Sequence, residues 1–417
     1  MTKRILLLGA GFFARPNPAC RTLASASAVC TGLPRCTAAA LDVTDTAALE
    51  AAVAAHDLVI SLVPYTFHAA VVQAAIKSKT HVVRTSYISS AMRALGTGIV
   101  VLDEAGLNPG IDHLYAVKVI DAVHARGGKV NQFLLHCGAL PAPESADNPL
   151  GYKFSWSPRG GLLALLNRAS FLAAGAVTHI PGPELMTGAT PSSIPPNFVS
   201  AFETFPNRDS VPFQKFYNIP EAETVRRCTL RYTGFPAFMA TLMKLGWLSA
   251  EVKECLVDGM EWREVMQRAC GASGNEESTL ITQIKQVCAF PSESEATRII
   301  DGLRWMGLFS GEKVAVHNGA LLDTLCARLE IDGQKFVVEW MDGKGVRPRL
   351  SPQRFGTRHG PSAMARTVGI PCGIATQLVS DGVLATPGVQ APYSKEICDP
   401  IRQKLESEDL GMTIEGL

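Results

Sequence analysis

A strong charge of one sign, long apolar runs and clustered metal ligands are all missing from this sequence, and each absence removes a class of function. Among 417 residues, 39 basic side chains nearly balance 38 acidic ones. The net charge of +1 creates no field to draw in nucleic acid or an anionic membrane surface. No run of 18 apolar residues occurs, so a membrane-spanning helix is not expected. The eleven cysteines are scattered, without a Cys-x-x-Cys pair or a histidine cluster. Neither a zinc module nor a disulfide framework is expected, and a reducing, cytoplasmic setting is the natural reading. No metal site is expected, because the nine histidines avoid ligand spacing. Tyr-x-x-x-Lys, Gly-x-Ser-x-Gly, P-loop and His-Glu-x-x-His patterns are absent as well.

What is present is globular. Hydrophobic residues make up 47% and charged residues 18%, and the length suits two or three domains. Lys3 and Arg4 precede the apolar run Ile5–Ala14, as in a secretory leader, but Gly9 and Gly11 interrupt it and Arg15 closes it. Lys3–Leu8 reads instead as a strand. Thr44–His56 reads as a helix, Asp57–Val63 as a strand, Thr66–Lys77 as a helix, and His81–Thr85 and Gly98–Leu102 as strands. Apolar strands alternating with helices predict an α/β, doubly wound parallel sheet of Rossmann type.

The texture changes after Leu114. A helix over Leu114–Ala125 leads to a strand over Lys129–Cys137, and the Pro/Gly-rich stretch Gly138–Gly161 looks too irregular for a core element. Helices are predicted over Ala237–Lys244, Ser249–Val257, Trp262–Ala269, Ser278–Val287, Glu293–Trp305 and Gly319–Leu329. Lys335–Met341 and Gly345–Arg349 read as a strand pair. The basic positions Lys344, Arg347, Arg349, Arg354, Arg358 and His359 read as solvated surface.

Gly9-x-Gly11-x-x-Ala14 after a strand opens a dinucleotide fingerprint: one glycine permits the turn, the next a close backbone approach to pyrophosphate. Arg21 stands where a cation would accept the 2′-phosphate of NADP. Only nine residues separate Gly11 from Arg21, too few for a helix and a strand. The first helix and second strand are therefore expected to be absent. His68, after Pro-Tyr-Thr-Phe, reads as a helix-start residue near the site.

Longer blocks carry a resemblance. Ala-Cys-Arg-Thr-Leu (19–23), the run from Asp57 to His68, Thr-Ser-Tyr-Ile-Ser (85–89) and Gly-Ile-Asp-His-Leu-Tyr-Ala (110–116) are four of them. Leu-Pro-Ala-Pro-Glu (140–144), Asp147 to Ser157, Phe-Pro-Asn-Arg-Asp-Ser (205–210), Thr-Leu-Arg-Tyr (229–232) and Leu322 to Leu329 complete the set. Over essentially its whole length the chain resembles the fungal saccharopine reductases, the NADP-dependent, L-glutamate-forming saccharopine dehydrogenases of the aminoadipate route to lysine.

The resemblance implies a Rossmann domain (1–112 with 381–417), an α/β substrate domain (113–234 with 331–380) and a mainly helical domain (235–330). It implies NADP as cofactor and a homodimer. The implied substrates are saccharopine, or glutamate with aminoadipate semialdehyde, whose imine NADPH reduces. Cofactor positions carried over by motif are Ala10, Gly11, Phe12, Phe13, Cys20, Arg21, Asp42, Val43, Val63, Thr85, Ser86, Leu107, Asn108, Pro109 and Ser157. Substrate positions are Ser86, Tyr87, Arg208, Thr229, Leu230 and Arg231. Saccharopine has three carboxylates, and arginine's fork binds a carboxylate through paired charge-assisted bonds, which suits Arg208 and Arg231. Tyr87 and Cys137 are the candidates for proton transfer or polarisation. Asn108 stands where the family pattern has aspartate, and with the shortened amino-terminal region it leaves a non-catalytic paralogue as the alternative. A lysine-forming NAD enzyme is disfavoured by Arg21.

Overall fold

The computed structural model describes residues 3–9, 18–93, 95–96, 98–138, 140–141, 146–154, 157–192, 201–331, 363–408 and 410–411. The chain divides into two compact units, the first made of Met1–Asn131, Phe213–Ala222 and Arg347–Leu417, the second of Gln132–Pro212 and Glu223–Val346.

The first unit is built on seven parallel strands: β1 (Ile5–Leu8), β2 (Pro18–Cys20), β3 (Ala39–Ala40), β4 (Leu58–Ser61), β5 (His81–Arg84), β6 (Val100–Leu102) and β13 (Gly388–Gln390). Their spatial order is β13-β6-β5-β4-β1-β2-β3. Read from β3 to β6 this is the 3-2-1-4-5-6 order of a dinucleotide-binding sheet. All four residues of β4 are buried, as a strand covered on both faces requires. Helices α2 (Thr46–Ala54) and α3 (His68–Ser78) cover one face, closing a core of Leu6, Leu8, Val53, Val59, Val71 and Val82. Asp45 is the cap of α2, its carboxylate accepting from Ala48 N at 3.0 Å, so the helix begins inside the span Thr44–His56 expected for it.

One expectation is corrected here. The second strand is present: Pro18–Cys20 pairs with β1 through Leu7↔Pro18 and Leu8↔Ala19, and with β3 beyond it. Only nine residues lie between Leu8 and Pro18, and positions 10–17 lie outside the described residues. The next helix, α1 (Leu23–Cys30), starts under a Thr22 cap. A left-handed turn at Gly32 then returns the chain, and Cys30 and Cys36 form a disulfide with Cα atoms 5.4 Å apart. The remaining nine cysteines are thiols.

Helices α4 (Ser90–Arg93), α5 (Ile111–Ala125), α7 (Phe213–Phe216), α13 (Ala363–Ser380) and α14 (Lys395–Ser407) also belong to the first unit. The sequence reading grouped 331–380 with the substrate domain, whereas α13 belongs with the parallel sheet. The expected strand pair near 335–349 and the basic positions 344–359 lie outside the described residues.

The second unit has a six-stranded sheet. Its path is β10 (Thr190–Pro191), β11 (Phe202–Pro206), β12 (Thr224–Tyr232), β8 (Ala169–Ala173) and β9 (Ala176–Ile180), with β7 (Gln132–Cys137) parallel to β12. Helices follow at α6 (Pro158–Ala164), α8 (Phe235–Lys244), α9 (Trp262–Cys270), α10 (Glu277–Cys288), α11 (Glu293–Trp305) and α12 (Leu321–Ile331). The helix expected over Ser249–Val257 does not form. Lys253 N bonds Gly319 O and Ser249 O accepts from Leu322 N, so this backbone is spent on the neighbouring loop while Val252 and Val257 face solvent. The stretch 138–161 also departs from expectation. Leu150, Tyr152 and Phe154 enter the main apolar core, because Asn148 ties the turn by accepting from Leu150 N and donating to Tyr152 O.

Candidate active site

The carboxyl ends of β1, β4, β5 and β6 gather the first group of polar side chains. Order reverses between β1 and β4, the crevice where parallel α/β sheets take their ligands. Gly9 sits there with φ 103°, and a Cβ on it would lie 2.9 Å from Leu62 O, so no other residue fits without a backbone shift. Ala10, Gly11, Phe12 and Phe13 lie outside the described residues. Cys20 ends β2, buried, and its thiol pKa is pushed up by desolvation. Arg21 follows, exposed. Asp42, after β3, accepts from Thr44 N and Oγ1 at 2.9 and 2.8 Å, and these bonds hold its carboxyl below the ordinary range, with Arg21 adding to the effect. Val43 and Val63 are half-buried. Thr85 lines an apolar hollow of about 180 Å³ between the sheet and α13.

Tyr87 and Asn108 meet. The phenol donates to Asn108 Oδ1 at 2.8 Å, so the amide reaches across to the loop after β5. Leu107, Asn108 and Pro109 form a tight loop in which Gly106 N donates to Pro109 O and Ile111 N to Gly106 O. Gly110 closes it with φ 146°, and a Cβ there would lie 1.9 Å from Gly106 O. Ser86 is held twice: its carbonyl accepts from Glu104 N at 3.2 Å, and its hydroxyl lies 3.0 Å from His68 Nε2.

Sequence reasoning missed the buried charges behind these residues. Arg84 and Asp103 form an ion pair with side chains 1% and 0% exposed, and burial pushes the Asp103 carboxyl up to about 6 despite its partner. Glu104 accepts from Ile88 N at 3.0 Å and from the Tyr393 hydroxyl at 2.8 Å, and lies 2.9 Å from His113 Nε2. His113 Nδ1 is 2.6 Å from the Tyr217 hydroxyl. Burial, then the Glu104 charge, push the Tyr393 phenol pKa upward. The only available signal was a charged pair, Asp103-Glu104, closing an apolar strand. Its partners at 217 and 393 are too distant in sequence to read.

In the second unit, Cys137 and Thr229 are direct neighbours across the β7–β12 ladder, with Leu230 and Arg231 following. Arg231 lies over the Tyr152 and Phe235 rings at 4.5 and 5.4 Å and donates to Leu230 O at 2.8 Å. Arg208 stands apart. It is exposed with φ 55°, just past the Asn207 N to Arg227 O bond, whereas Arg231 pairs with Glu203. The two arginines are about five rungs apart, roughly 16 Å at strand rise. Ser157 caps α6, accepting from Gly160 N at 3.2 Å, which engages its hydroxyl within the unit. Among the described residues no group of His, Cys, Asp and Glu could hold a metal, and no helix is long and apolar enough to cross a membrane.

Comparison with known proteins identifies the family. Residues 6–100 match the model of the saccharopine dehydrogenase NADP binding domain, and residues 106–410 that of the saccharopine dehydrogenase C-terminal domain. The chain belongs to the saccharopine dehydrogenase family. It is 47% identical to saccharopine dehydrogenase [NADP(+), L-glutamate-forming] of Pyricularia oryzae, covering 98% of this chain and 97% of the relative. The Saccharomyces cerevisiae protein of the same name is 45% identical, covering 98% of each. A solved structure, apo histidine-tagged saccharopine dehydrogenase (L-Glu forming) from S. cerevisiae, superposes with a TM-score of 0.82 at 43% identity over 98% of each chain. The alignment to the Pyricularia relative runs over 440 positions against 417 residues here, so that family member carries stretches this chain lacks. The oxidoreductase class, the NADP cofactor and the Rossmann-type architecture expected from the sequence agree with these findings.

Proposed function

We propose that this chain catalyses the NADPH-dependent reduction of the imine of L-glutamate and aminoadipate semialdehyde to saccharopine, and the reverse oxidation, in lysine biosynthesis. The observation that carries the reading is the crevice between β1 and β4, with Gly9 where a Cβ has no room and Arg21 exposed at the end of the next strand. This donor set fits a dinucleotide carrying a 2′-phosphate. Arg21 would hold that phosphate, while Val63, Thr85, Ser86 and the 107–109 loop would line the rest of the cofactor. Cys20, Asp42, Val43 and Ser157 belong to the same proposed set through the family motif.

When bound, NADPH supplies the hydride. The chain must hold the imine, exclude water and supply the proton that completes the amine. Arg231 is proposed as a carboxylate clamp: its planar face rests on Tyr152 and Phe235, which fixes the fork's direction. Arg208, some 16 Å along the sheet by the same strand rise, would take a different carboxylate of this extended substrate. Thr229 and Leu230 shape the strand beside Arg231. Tyr87, whose own proton is engaged by Asn108, carries a phenolic oxygen able to accept a bond from the substrate amine. Cys137, beside Thr229, is the second candidate for proton transfer. A cytoplasmic homodimer is proposed with this activity, on the family resemblance and the predominance of thiols. The comparisons lend no support to a non-catalytic paralogue.

The test follows absorbance of NADPH when saccharopine and NADP⁺ are mixed with the protein. NADPH should form only when saccharopine is present, and more slowly with NAD⁺ as the acceptor. Protein that binds NADPH yet yields no absorbance change would overturn the assignment.

A further inference from the structure

His68 begins α3, directly after the Tyr65–Phe67 turn of 3-10 helix, and is 2% exposed. Its ring bridges two hydroxyls: Nδ1 lies 3.0 Å from Ser61 Oγ and Nε2 lies 3.0 Å from Ser86 Oγ. Ser61, wholly buried, is the last residue of β4, and Ser86 follows β5 by two residues. One imidazole thus spans the ends of two adjacent strands in the parallel sheet. A neutral imidazole has one donor nitrogen and one acceptor nitrogen, so one hydroxyl must donate to the ring and the other must accept. In either arrangement the ring holds the Ser86 hydroxyl oxygen in place, and the Ser86 carbonyl is already held by Glu104 N. The ring is kept neutral by burial first and then by the Arg84 charge, which lower its pKa to about 3.

We propose that His68 is a positioning residue that sets the Ser86 hydroxyl for the bound nicotinamide cofactor and substrate, acting only through Ser86 and exchanging no proton itself. The inference rests on the proposed placement of Ser86 in the site. Asparagine at position 68 reaches about as far as Nδ1 and would keep the Ser61 contact while losing Ser86. Glutamine reaches about as far as Nε2 and would restore the Ser86 contact. A merely structural histidine would not distinguish the two amides in this way.

The experiment is a double-mutant cycle of His68→Asn and Ser86→Ala, with His68→Gln alongside, read as kcat/KM for saccharopine and as NADPH Kd by fluorescence titration. Expected are a loss of about tenfold in kcat/KM for His68→Asn, most of it regained by His68→Gln, and no further loss when His68→Asn is combined with Ser86→Ala. NADPH affinity should follow the same pattern. If the losses multiply in the double variant, or if glutamine is no better than asparagine, the inference is overturned while the site reading stands. If Ser86→Ala matches the parent in both turnover and NADPH Kd, Ser86 leaves the site and the reading beneath the inference fails. Should His68→Asn not fold, the cycle of His68→Gln with Ser86→Ala decides: His68→Gln alone must keep most of the parental kcat/KM, and whatever it loses must vanish in the Ser86→Ala background.

Discussion

The two units bury charge in opposite ways. The first sinks Arg84, Asp103, Glu104 and His113 beneath the ends of its parallel strands and pairs them with one another, with Tyr217 and Tyr393 and with Ile88 N, leaving one nitrogen of Arg84 and one oxygen of Asp103 buried without a hydrogen bond. The second lays Arg231 against aromatic rings over a broad apolar core that includes Tyr152, Phe235, Trp247 and Trp262. Paired buried charges rigidify a loop but leave little capacity for a ligand, whereas a guanidinium stacked on a ring is held in direction with its fork able to bind. The comparison suits the Glu104 cluster to support and Arg231 to the recognition role proposed for it.

The largest expected effect strikes the support. Glu104→Leu leaves Ile88 N, His113 and Tyr393 without their shared acceptor, and breaking such a network should cost about 3–5 kcal/mol of stability. Denaturant unfolding checks this, and a loss under about 1 kcal/mol would mean the cluster is not a unit. Next comes recognition. Arg231→Lys keeps the charge but loses the fork and the stacking, so saccharopine binding should weaken by about 1.5–3 kcal/mol. Thermal stability should change little, and an unchanged KM for saccharopine would place Arg231 outside the site.

Arg21→Ala should raise KM for NADPH by about tenfold and leave KM for NADH nearly unchanged, since a charge-assisted phosphate contact exists only with the former. Equal effects on both cofactors would remove Arg21 from that role.

A smaller effect tests the neutral histidine. With the folded pKa of His68 near 3, the unfolded chain takes up a proton below its ordinary value of 6.5 that the folded chain does not. Its contribution to stability is therefore complete above that value and falls as pH drops, by at most about 1.4 kcal/mol per pH unit. The difference in unfolding free energy between the parent and His68→Gln should shrink by that slope between pH 6 and about 4. A difference independent of pH would show that His68 titrates alike in the folded and unfolded chains.

The smallest effect is expected at Asn108. A sequence reading of this turn favours an Asx side chain bonded to its own backbone, whereas the amide oxygen instead accepts from Tyr87. Asn108→Asp keeps that acceptor and adds charge, so kcat should change by less than about tenfold. A gain of a hundredfold with unaltered NADPH binding would identify the position as an acid–base group.

Local signals were sufficient wherever one stretch of chain decides its own structure. Apolar runs such as Leu58–Ser61 declared buried strands, and Glu293–Trp305 declared its helix through acidic residues at its start and an arginine in its last turn. The Gly-x-Gly turn after the first strand pointed to a dinucleotide-binding sheet because that turn's chemistry is local, and the ordered motifs carried the family. Three features needed the folded chain. The Pro18–Cys20 strand is too short to show a period and exists because β1 and β3 pair with it on either side. The Ser249–Val257 stretch has helical composition, but its backbone groups bond a distant loop instead. The Tyr87–Asn108 bond, the His68 bridge and the Glu104 cluster join residues from 7 to 289 positions apart, and only packing brings them into hydrogen-bond range. Periodicity and capping act over a few residues, whereas the pairing of buried polar groups depends on which segments the core brings together.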